Sequence, residues 1–285
     1  MTRAIDVHVH PSTPEWVDDA MGDYGPACET HFRTTLPRHS VNEMAAVFRA
    51  ADVRGVLFAW DAQTHTGLPP VTNDFVASCV RAHPDTFFGF ASVDPLKGAG
   101  AATIELDRGV RELGLRGLKL HPSAQGFRPD DRAVAYPVFE TAAALGVPVT
   151  LHTGTTGLGA GMPGGGRIKL DASRPILLDA VAADFPTLQI VMAHPAWPWQ
   201  DEQLAVALHK PNTWIDLSGW SPRRFAPELM RNIKGPLQDR VLFGTDYPFL
   251  SHRQWFDAWA TLGVPDAITE KVLLTNAERL LGRHR

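Results

Sequence analysis

The feature that most constrains the fold is a regular alternation of short apolar runs and helix-length segments along the whole chain. Several runs are apolar at consecutive positions, which is typical of parallel strands covered by helices. Eight strands that each precede a helix predict an α/β fold, a (β/α)8 barrel of the TIM type, with a doubly wound sheet as the alternative. The predicted strands are Ala4–His10, Arg54–Trp60, Thr86–Ser92, Leu115–Leu120, Val147–His152, Leu188–Ala193, Thr213–Leu217 and Arg240–Thr245.

The segments between these runs predict helices, and the chain closes with two more. They are Asn42–Ala51, Asn73–Ala82, Thr103–Leu113, Ala133–Leu145, Pro175–Asp184, Asp201–His209, Pro227–Ile233, Gln254–Leu262 and Pro265–Leu281. No linker, sequence repeat or charge run marks a boundary, so we expect residues 1–285 to form a single domain.

Two connections, Pro11–Ser40 and Thr153–Arg174, are longer than usual and follow the first and fifth predicted strands. In a barrel, loops at this edge form the rim of the active site. The second loop is rich in glycine but lacks the phosphate-binding patterns that join a strand directly to a helix. We interpret it as a mobile or closely packed lid, with a disordered insert as the alternative.

Composition argues against several classes of partner. The net charge of −4 gives no reason to expect nucleic acid or a membrane surface, and no apolar run approaches the roughly 20 residues of a membrane-spanning helix. The first strand begins at once, so we expect no signal peptide. Cys28 and Cys79 lack CxxC spacing and are interpreted as free thiols. These features predict a cytoplasmic protein.

His8 and His10 end the first predicted strand. Side chains two residues apart on a strand point to the same face, so both imidazoles face one way. Two imidazoles held together in this manner are typical of a site for a divalent metal such as zinc. Two ordinary histidines at a strand end are the alternative.

Other chemically active side chains lie at the ends of later predicted strands, where barrel enzymes place their catalytic groups. They are Lys119, His121, His152, His194 and Asp246. A mononuclear hydrolytic site needs three or four nitrogen or oxygen ligands and one open position. His8, His10 and His152 can supply nitrogen, and Asp246 can supply oxygen. The metal would activate water, with Asp246 as its general base.

The remaining strand-end residues each have more than one assignment from sequence. His194 is interpreted as an acid, base or electrophile, against a histidine bonded to backbone. Lys119 is a structural or substrate-binding cation first, and a carbamylated ligand of a second metal otherwise. His121 lines the pocket or only packs there.

Tryptophans are concentrated near the predicted strand ends. Trp16, Trp60, Trp197 and Trp220 are candidate substrate-binding residues, because aromatic side chains at a barrel mouth suit a flat, apolar substrate. The alternative is that they pack loops against one another.

Taken together, the strand-end motifs resemble the amidohydrolase superfamily, specifically its amidohydrolase-related (amidohydrolase 2) branch. The matching stretches are Asp6–His10, Gly117–Pro122, His152–Gly154, Ala193–Pro195, Gly244–Pro248 and Asn276–Gly282. The resemblance implies a TIM-like barrel, metal ligands at His8, His10, His152 and Asp246, and a catalytic histidine at His194. It also suggests a homodimer.

We therefore predict a metal-dependent hydrolase of a small carbonyl compound (an ester, lactone, amide or β-ketoacyl C–C bond) whose small-molecule substrate is aromatic. The alternative is a metal-dependent, non-oxidative decarboxylase of an aromatic or unsaturated carboxylic acid. One divalent metal is expected, zinc first and manganese second. A metal-free binding protein is the third hypothesis.

Overall fold

Parallel strands at the eight predicted positions form the centre of the computed structural model, which describes residues 2–282. Each strand overlaps its predicted run and is shorter than it. The strands are β1 Ala4–Val9, β2 Val53–Phe58, β3 Phe87–Phe90, β4 Leu118–Leu120, β5 Val149–His152, β6 Ile190–Ala193, β7 Thr213–Asp216 and β8 Val241–Leu242.

The strands follow one another in chain order around a ring. Regular pairing gives a three-stranded sheet, β1-β2-β3, and a five-stranded sheet, β4 to β8, with every pair parallel. Backbone hydrogen bonds also join the edges of the two sheets. Val7 N donates to Phe243 O at 3.0 Å on one side, and Lys119 N donates to Ala91 O at 2.7 Å on the other. The predicted (β/α)8 barrel is confirmed.

Helices overlap the predicted segments, with ends shifted by a few residues, and short helices that were not predicted lie at Tyr24–Phe32, Gln63–Thr66 and Pro122–Gln125. Capping fixes some of these ends, as at Ser40, whose side chain accepts from Glu43 N while the Glu43 carboxylate accepts from Ser40 N. The helices are α1 Tyr24–Phe32, α2 Val41–Ala50, α3 Gln63–Thr66, α4 Asn73–Ala82, α5 Ala99–Arg111, α6 Pro122–Gln125, α7 Tyr136–Leu145, α8 Leu177–Asp184, α9 Gln200–His209, α10 Pro227–Ile233, α11 His252–Ala260, α12 Asp266–Glu270 and α13 Asn276–Leu281.

The structure adds detail at two predicted segments. The long loop Pro11–Ser40 contains a π-helical turn at Glu15–Ala20 and then α1. The last predicted helix, Pro265–Leu281, is interrupted by a π-helical turn at Lys271–Thr275. There the carbonyl of Val272 accepts a hydrogen bond from Phe243 N at 2.9 Å, so the helix exchanges regular pairing for a bond to the barrel.

An apolar plug fills the barrel below the strand ends. It contains Val7, Phe58, Phe90 and Trp214 from the strands, and Leu280 from α13 closes it. A larger apolar cluster lies between the strands and the surrounding helices. The polar strand-end residues described below lie above this plug, at the carboxyl-terminal mouth of the barrel. Within residues 2–282, no helix combines the length and apolar character needed to cross a membrane.

Candidate metal centre and active site

A β-bulge in the first strand helps to position His8 and His10 in the mouth of the barrel. Asp6 pairs with Gly55, but Val9 pairs with Leu57, so the register shifts by one residue between them. A bulge of this kind redirects side chains. Asp6 bonds outward to α11, whereas the rings of His8 and His10 lie together inside with centroids 5.4 Å apart.

Asp246, in the loop that follows β8, lies close to the imidazoles of both His8 and His10. One of its oxygens, Oδ1, lies 3.4 Å from His8 Nε2 and 3.5 Å from His10 Nε2. These separations are long for hydrogen bonds. They match two tetrahedral ligand atoms bound to a common ion at about 2.1 Å, which lie about 3.4 Å apart. Asp246 therefore faces each imidazole at a separation that suits a shared ion, and the donor types of the three residues suit a divalent metal.

His8 is held in one tautomer by a buried carboxylate that the sequence analysis did not assign to the site. Asp216, at the end of β7, accepts from His8 Nδ1 at 2.6 Å. Its other bonds come from Ser218 N at 2.9 Å and Ser218 Oγ at 2.8 Å. Burial raises the pKa of Asp216 to about 7, while the bonds from Ser218 act in the opposite direction. With Nδ1 protonated, His8 keeps Nε2 as an acceptor for a metal.

Lys119 is hydrogen-bonded to His8 Nε2, the nitrogen that a metal would use. Its ammonium lies 3.0 Å from His8 Nε2 and 4.8 Å from the centre of the Phe58 ring. Burial lowers the pKa of Lys119 to about 8, although Asp246 and Asp216 favour its charged form. A metal bound by His8 would displace this hydrogen bond and leave the ammonium beside the ion.

His194 lies inside the same group. One ring nitrogen each from His8 and His194 and one oxygen of Asp246 all fall within 4.8 Å of one another. His194 and Asp246 both have a left-handed backbone, with φ of 71° and 62°. Such strain at non-glycine residues is concentrated at functional sites. The position of His194 is compatible with proton transfer, as predicted, and with metal ligation.

His152 lies beside this group. Its Nε2 is 3.1 Å from the carbonyl of Thr155, and its ring is stacked on His121 with centroids 3.8 Å apart. The centroid of His194 is 4.7 Å away. Ligation by His152 stays a prediction, because it requires Nδ1 or a ring rotation. His121 Nδ1 accepts from Ala124 N at 3.2 Å and caps a short helix.

Burial keeps these imidazoles neutral. It lowers the pKa of each ring, with a further contribution from the nearby Lys119 charge. For His194 the pKa falls to about 3. Burial has the opposite effect on Asp246, whose pKa rises to about 7 against the attraction of Lys119. Neutral imidazoles at neutral pH offer nitrogen lone pairs to a metal.

The four candidate tryptophans divide into two pairs. Trp16 is stacked on His10 with centroids 4.5 Å apart, and Trp60 meets His10 edge-on at 5.8 Å. Both form a buried wall of the site. Trp197 is 54% exposed and lies 6.4 Å from Trp220 at the rim. Among residues 2–282, neither ring of this second pair packs against a histidine ring of the site, so their substrate-binding role stays a prediction.

The glycine-rich loop after β5 is anchored to the rest of the protein at several points. Gly154 N donates to Ser173 O at 2.9 Å, and the Tyr24 hydroxyl donates to Gly166 O at 2.7 Å. Gly154 has φ of 86°, and a Cβ there would lie 2.7 Å from the backbone of Ala196. Glycine is therefore required where this loop crosses the mouth. Farther along the loop, a Cβ at Gly161, Gly164 or Gly165 would meet no atom within 4 Å, and the role of the loop as a lid stays a prediction.

With this geometry in place, comparison with known proteins identifies the family. The amidohydrolase family model matches residues 5–283. The chain belongs to the amidohydrolase family.

Three similar proteins are distant in sequence from this amidohydrolase but match it along most of the chain. Gamma-resorcylate decarboxylase from Polaromonas sp. is 26% identical over 292 residues, covering 88% of this chain and 86% of that protein. An uncharacterised TIM-barrel protein from Bordetella bronchiseptica is 26% identical, with a TM-score of 0.83 and 99% of both chains covered. A third similar structure is that of dihydroxybenzoic acid decarboxylase from Polaromonas sp., with bound manganese and the inhibitor 2-nitroresorcinol. It is 21% identical, with a TM-score of 0.72, and the match covers 100% of this chain and 98% of that chain.

Proposed function

We propose that this amidohydrolase is a metal-dependent, non-oxidative decarboxylase of an aromatic acid with a hydroxyl group next to its carboxylate. This is the second of the two reactions that the sequence left open. The observation that supports it most is the similarity to gamma-resorcylate decarboxylase, which extends over 88% of the chain and is not confined to one motif. The predicted hydrolysis has less support, because this long alignment is to a decarboxylase. The homodimer suggested by the family stays a prediction.

The proposed cofactor is one divalent ion held by His8, His10 and Asp246, with His152 or His194 as a further ligand. When bound, the ion supplies positive charge that holds the substrate carboxylate and hydroxyl oxygens and offsets the charge that develops on them. Manganese in the dihydroxybenzoic acid decarboxylase supports testing manganese beside zinc.

The surrounding side chains would bind and orient the substrate. The Lys119 ammonium is buried and lies next to His8, so it would attract a carboxylate in a region shielded from water. Trp16 and Trp60 would contact the faces and edges of an aromatic ring. His121, which meets Trp60 edge-on at 5.5 Å, would complete this wall.

Asp246 and His194 are the proposed proton donors to the substrate ring. The ring carbon that bears the carboxylate takes up one proton, the C–C bond then breaks, and CO2 leaves, so the reaction consumes one proton for each CO2. Asp246 can keep Oδ1 toward the imidazoles while Oδ2 holds the proton. Its side chain remains 18% exposed, which allows renewed protonation from water. His194 is the alternative donor.

Labelled substrates test the proposal. The protein, loaded in turn with Mn²⁺ and Zn²⁺, is incubated with 2-hydroxybenzoates and 2,6-dihydroxybenzoates that carry ¹³C in the carboxylate. We expect metal-dependent release of ¹³CO2, which chelation abolishes. Absence of ¹³CO2 together with incorporation of solvent ¹⁸O into the acid formed from an aryl lactone or ester would contradict the proposal and favour hydrolysis.

A further inference from the structure

Ser218 connects three groups of the site through one hydroxyl. Its Oγ lies 2.8 Å from Asp216 Oδ2, 3.0 Å from His8 Nδ1 and 2.9 Å from His194 Nδ1. All four residues are at least 95% buried. The hydroxyl has one hydrogen and two acceptor lone pairs, so its proton can serve only one of these neighbours.

The hydroxyl proton belongs on the bond to Asp216. In its ionised form Asp216 only accepts, and an oxygen of Ser218 at 2.8 Å without a proton between them would set two lone pairs against each other. Asp216 also accepts from His8 Nδ1, so that nitrogen is protonated as well. Ser218 Oγ is then left as an acceptor for His194, whose Nδ1 must supply the hydrogen.

The chain provides room for this contact. Gly219 follows Ser218 with φ of 73°, and a Cβ at Gly219 would lie 2.6 Å from His194 Nδ1. A side chain at this position would therefore push the imidazole away from the hydroxyl. The left-handed backbone of His194 brings its ring to the same point.

We propose that Ser218 is a positioning residue that fixes His194 in the Nδ1–H tautomer and leaves the Nε2 lone pair of His194 for the metal or the substrate. Asp216 and Ser218 together set the tautomers of both imidazoles, His8 directly and His194 through the hydroxyl. The inference rests on the proposed function only in the task given to His194, since the tautomer itself does not depend on the reaction.

Long-range ¹H–¹⁵N NMR of the full chain, labelled at histidine and loaded with diamagnetic Zn²⁺, measures the tautomer directly. Comparison with His194→Gln assigns the His194 signals. We expect a protonated Nδ1 in the parent and loss of that pattern in Ser218→Ala. Protonation at Nε2 in the parent would overturn the proposal. An unchanged His194 pattern in Ser218→Ala would overturn it as well.

Kinetics give a second readout. Ser218→Ala should lower kcat about tenfold with little change in KM, because substrate contacts remain while His194 loses its orientation. Thr213→Val is the matched control: Thr213 is buried at the other end of β7, and its hydroxyl donates only to Lys210 O at 2.8 Å. It should leave kcat and the His194 signals unchanged. If the parent releases no CO2, the proposed function fails, and the spectra still decide the tautomer.

Discussion

Two carboxylates near the junction of β1 and β8 show how one residue type serves stability in one place and a ligand site in another. Asp6 is fully buried and accepts from His8 N at 3.1 Å, Thr245 N at 3.0 Å and His252 Nε2 at 3.0 Å. Asp246, directly after Thr245, accepts no side-chain hydrogen bond from any residue in the described range 2–282 and keeps 18% of its side chain exposed. A satisfied carboxylate stabilises the fold, whereas an unsatisfied one is available to a ligand.

The largest effect is expected from Asp246→Asn. The amide removes the charge that faces both imidazoles, so we expect kcat/KM to fall by about a thousandfold while the thermal midpoint stays close to that of the parent. Steady-state kinetics and differential scanning calorimetry on one preparation check this. Retention of more than a tenth of the activity would exclude Asp246 from the metal and proton-transfer steps.

Asp6→Asn should show the opposite pattern. Loss of charge-assisted bonds from Thr245 and His252 should lower the free energy of unfolding by about 3 kcal/mol, and Tm by roughly 6–10 °C in a chain of this size. Activity per folded molecule and metal content should persist. If Asp6→Asn lost its metal while its Tm stayed unchanged, Asp6 would serve the metal site and not the stability of the fold.

Trp16→Leu should affect the metal ligands through packing. Trp16 is stacked on His10, whose buried Nδ1 has no hydrogen-bond partner among residues 2–282, so the indole is the main restraint on that ring. We expect metal affinity to decrease about tenfold in isothermal titration calorimetry. Trp255→Leu is the control, because Trp255 is stacked on Trp259 in α11: it should lower stability and leave the affinity unchanged. Equal metal affinities in Trp16→Leu and the parent would show that stacking by Trp16 does not hold His10 for the metal.

The smallest effect concerns a third kind of carboxylate, paired near the surface. Glu29 accepts from Leu36 N at 2.8 Å and Arg38 Nη1 at 2.7 Å, and the bond from Arg38, first, with that from Leu36, holds its pKa below the usual value. Its contribution is present above the unfolded-state pKa of about 4.3 and is lost as the pH falls through the folded-state pKa. Glu29→Gln should cost less than about 1 kcal/mol at pH 7 and nothing at low pH. A cost near that of Asp6→Asn would show that pairing, and not burial, determines the energetic difference.

Periodicity predicted the parts of the site that depend on local structure. The two-residue repeat brought His8 and His10 to one face, and the rule that catalytic groups follow barrel strands selected Lys119, His194 and Asp246. The same rule applied to the predicted strand Thr213–Leu217 would have selected Asp216, which was missed. Its partner is His8, 208 positions away, and no local pattern reports such a contact.

Other features depend on tertiary contacts. The bulge in β1 separates Asp6 from His8, although strict alternation places them on one face. The segment Glu15–Phe32 contains Gly22 and Gly25, which weaken a helix pattern, and packing of its apolar side chains against the core stabilises the helical turns instead. The choice of decarboxylation over hydrolysis also could not be made from the ligands, because both reactions use the same donor set.

The most direct test of the account is the metal content of the parent, Asp246→Asn and Asp6→Asn proteins, measured by inductively coupled plasma mass spectrometry after loading with Mn²⁺ or Zn²⁺ and desalting. The account predicts about one ion per chain in the parent and in Asp6→Asn, and almost none in Asp246→Asn. Equal metal content in all three proteins, or loss of metal only in Asp6→Asn, would contradict it.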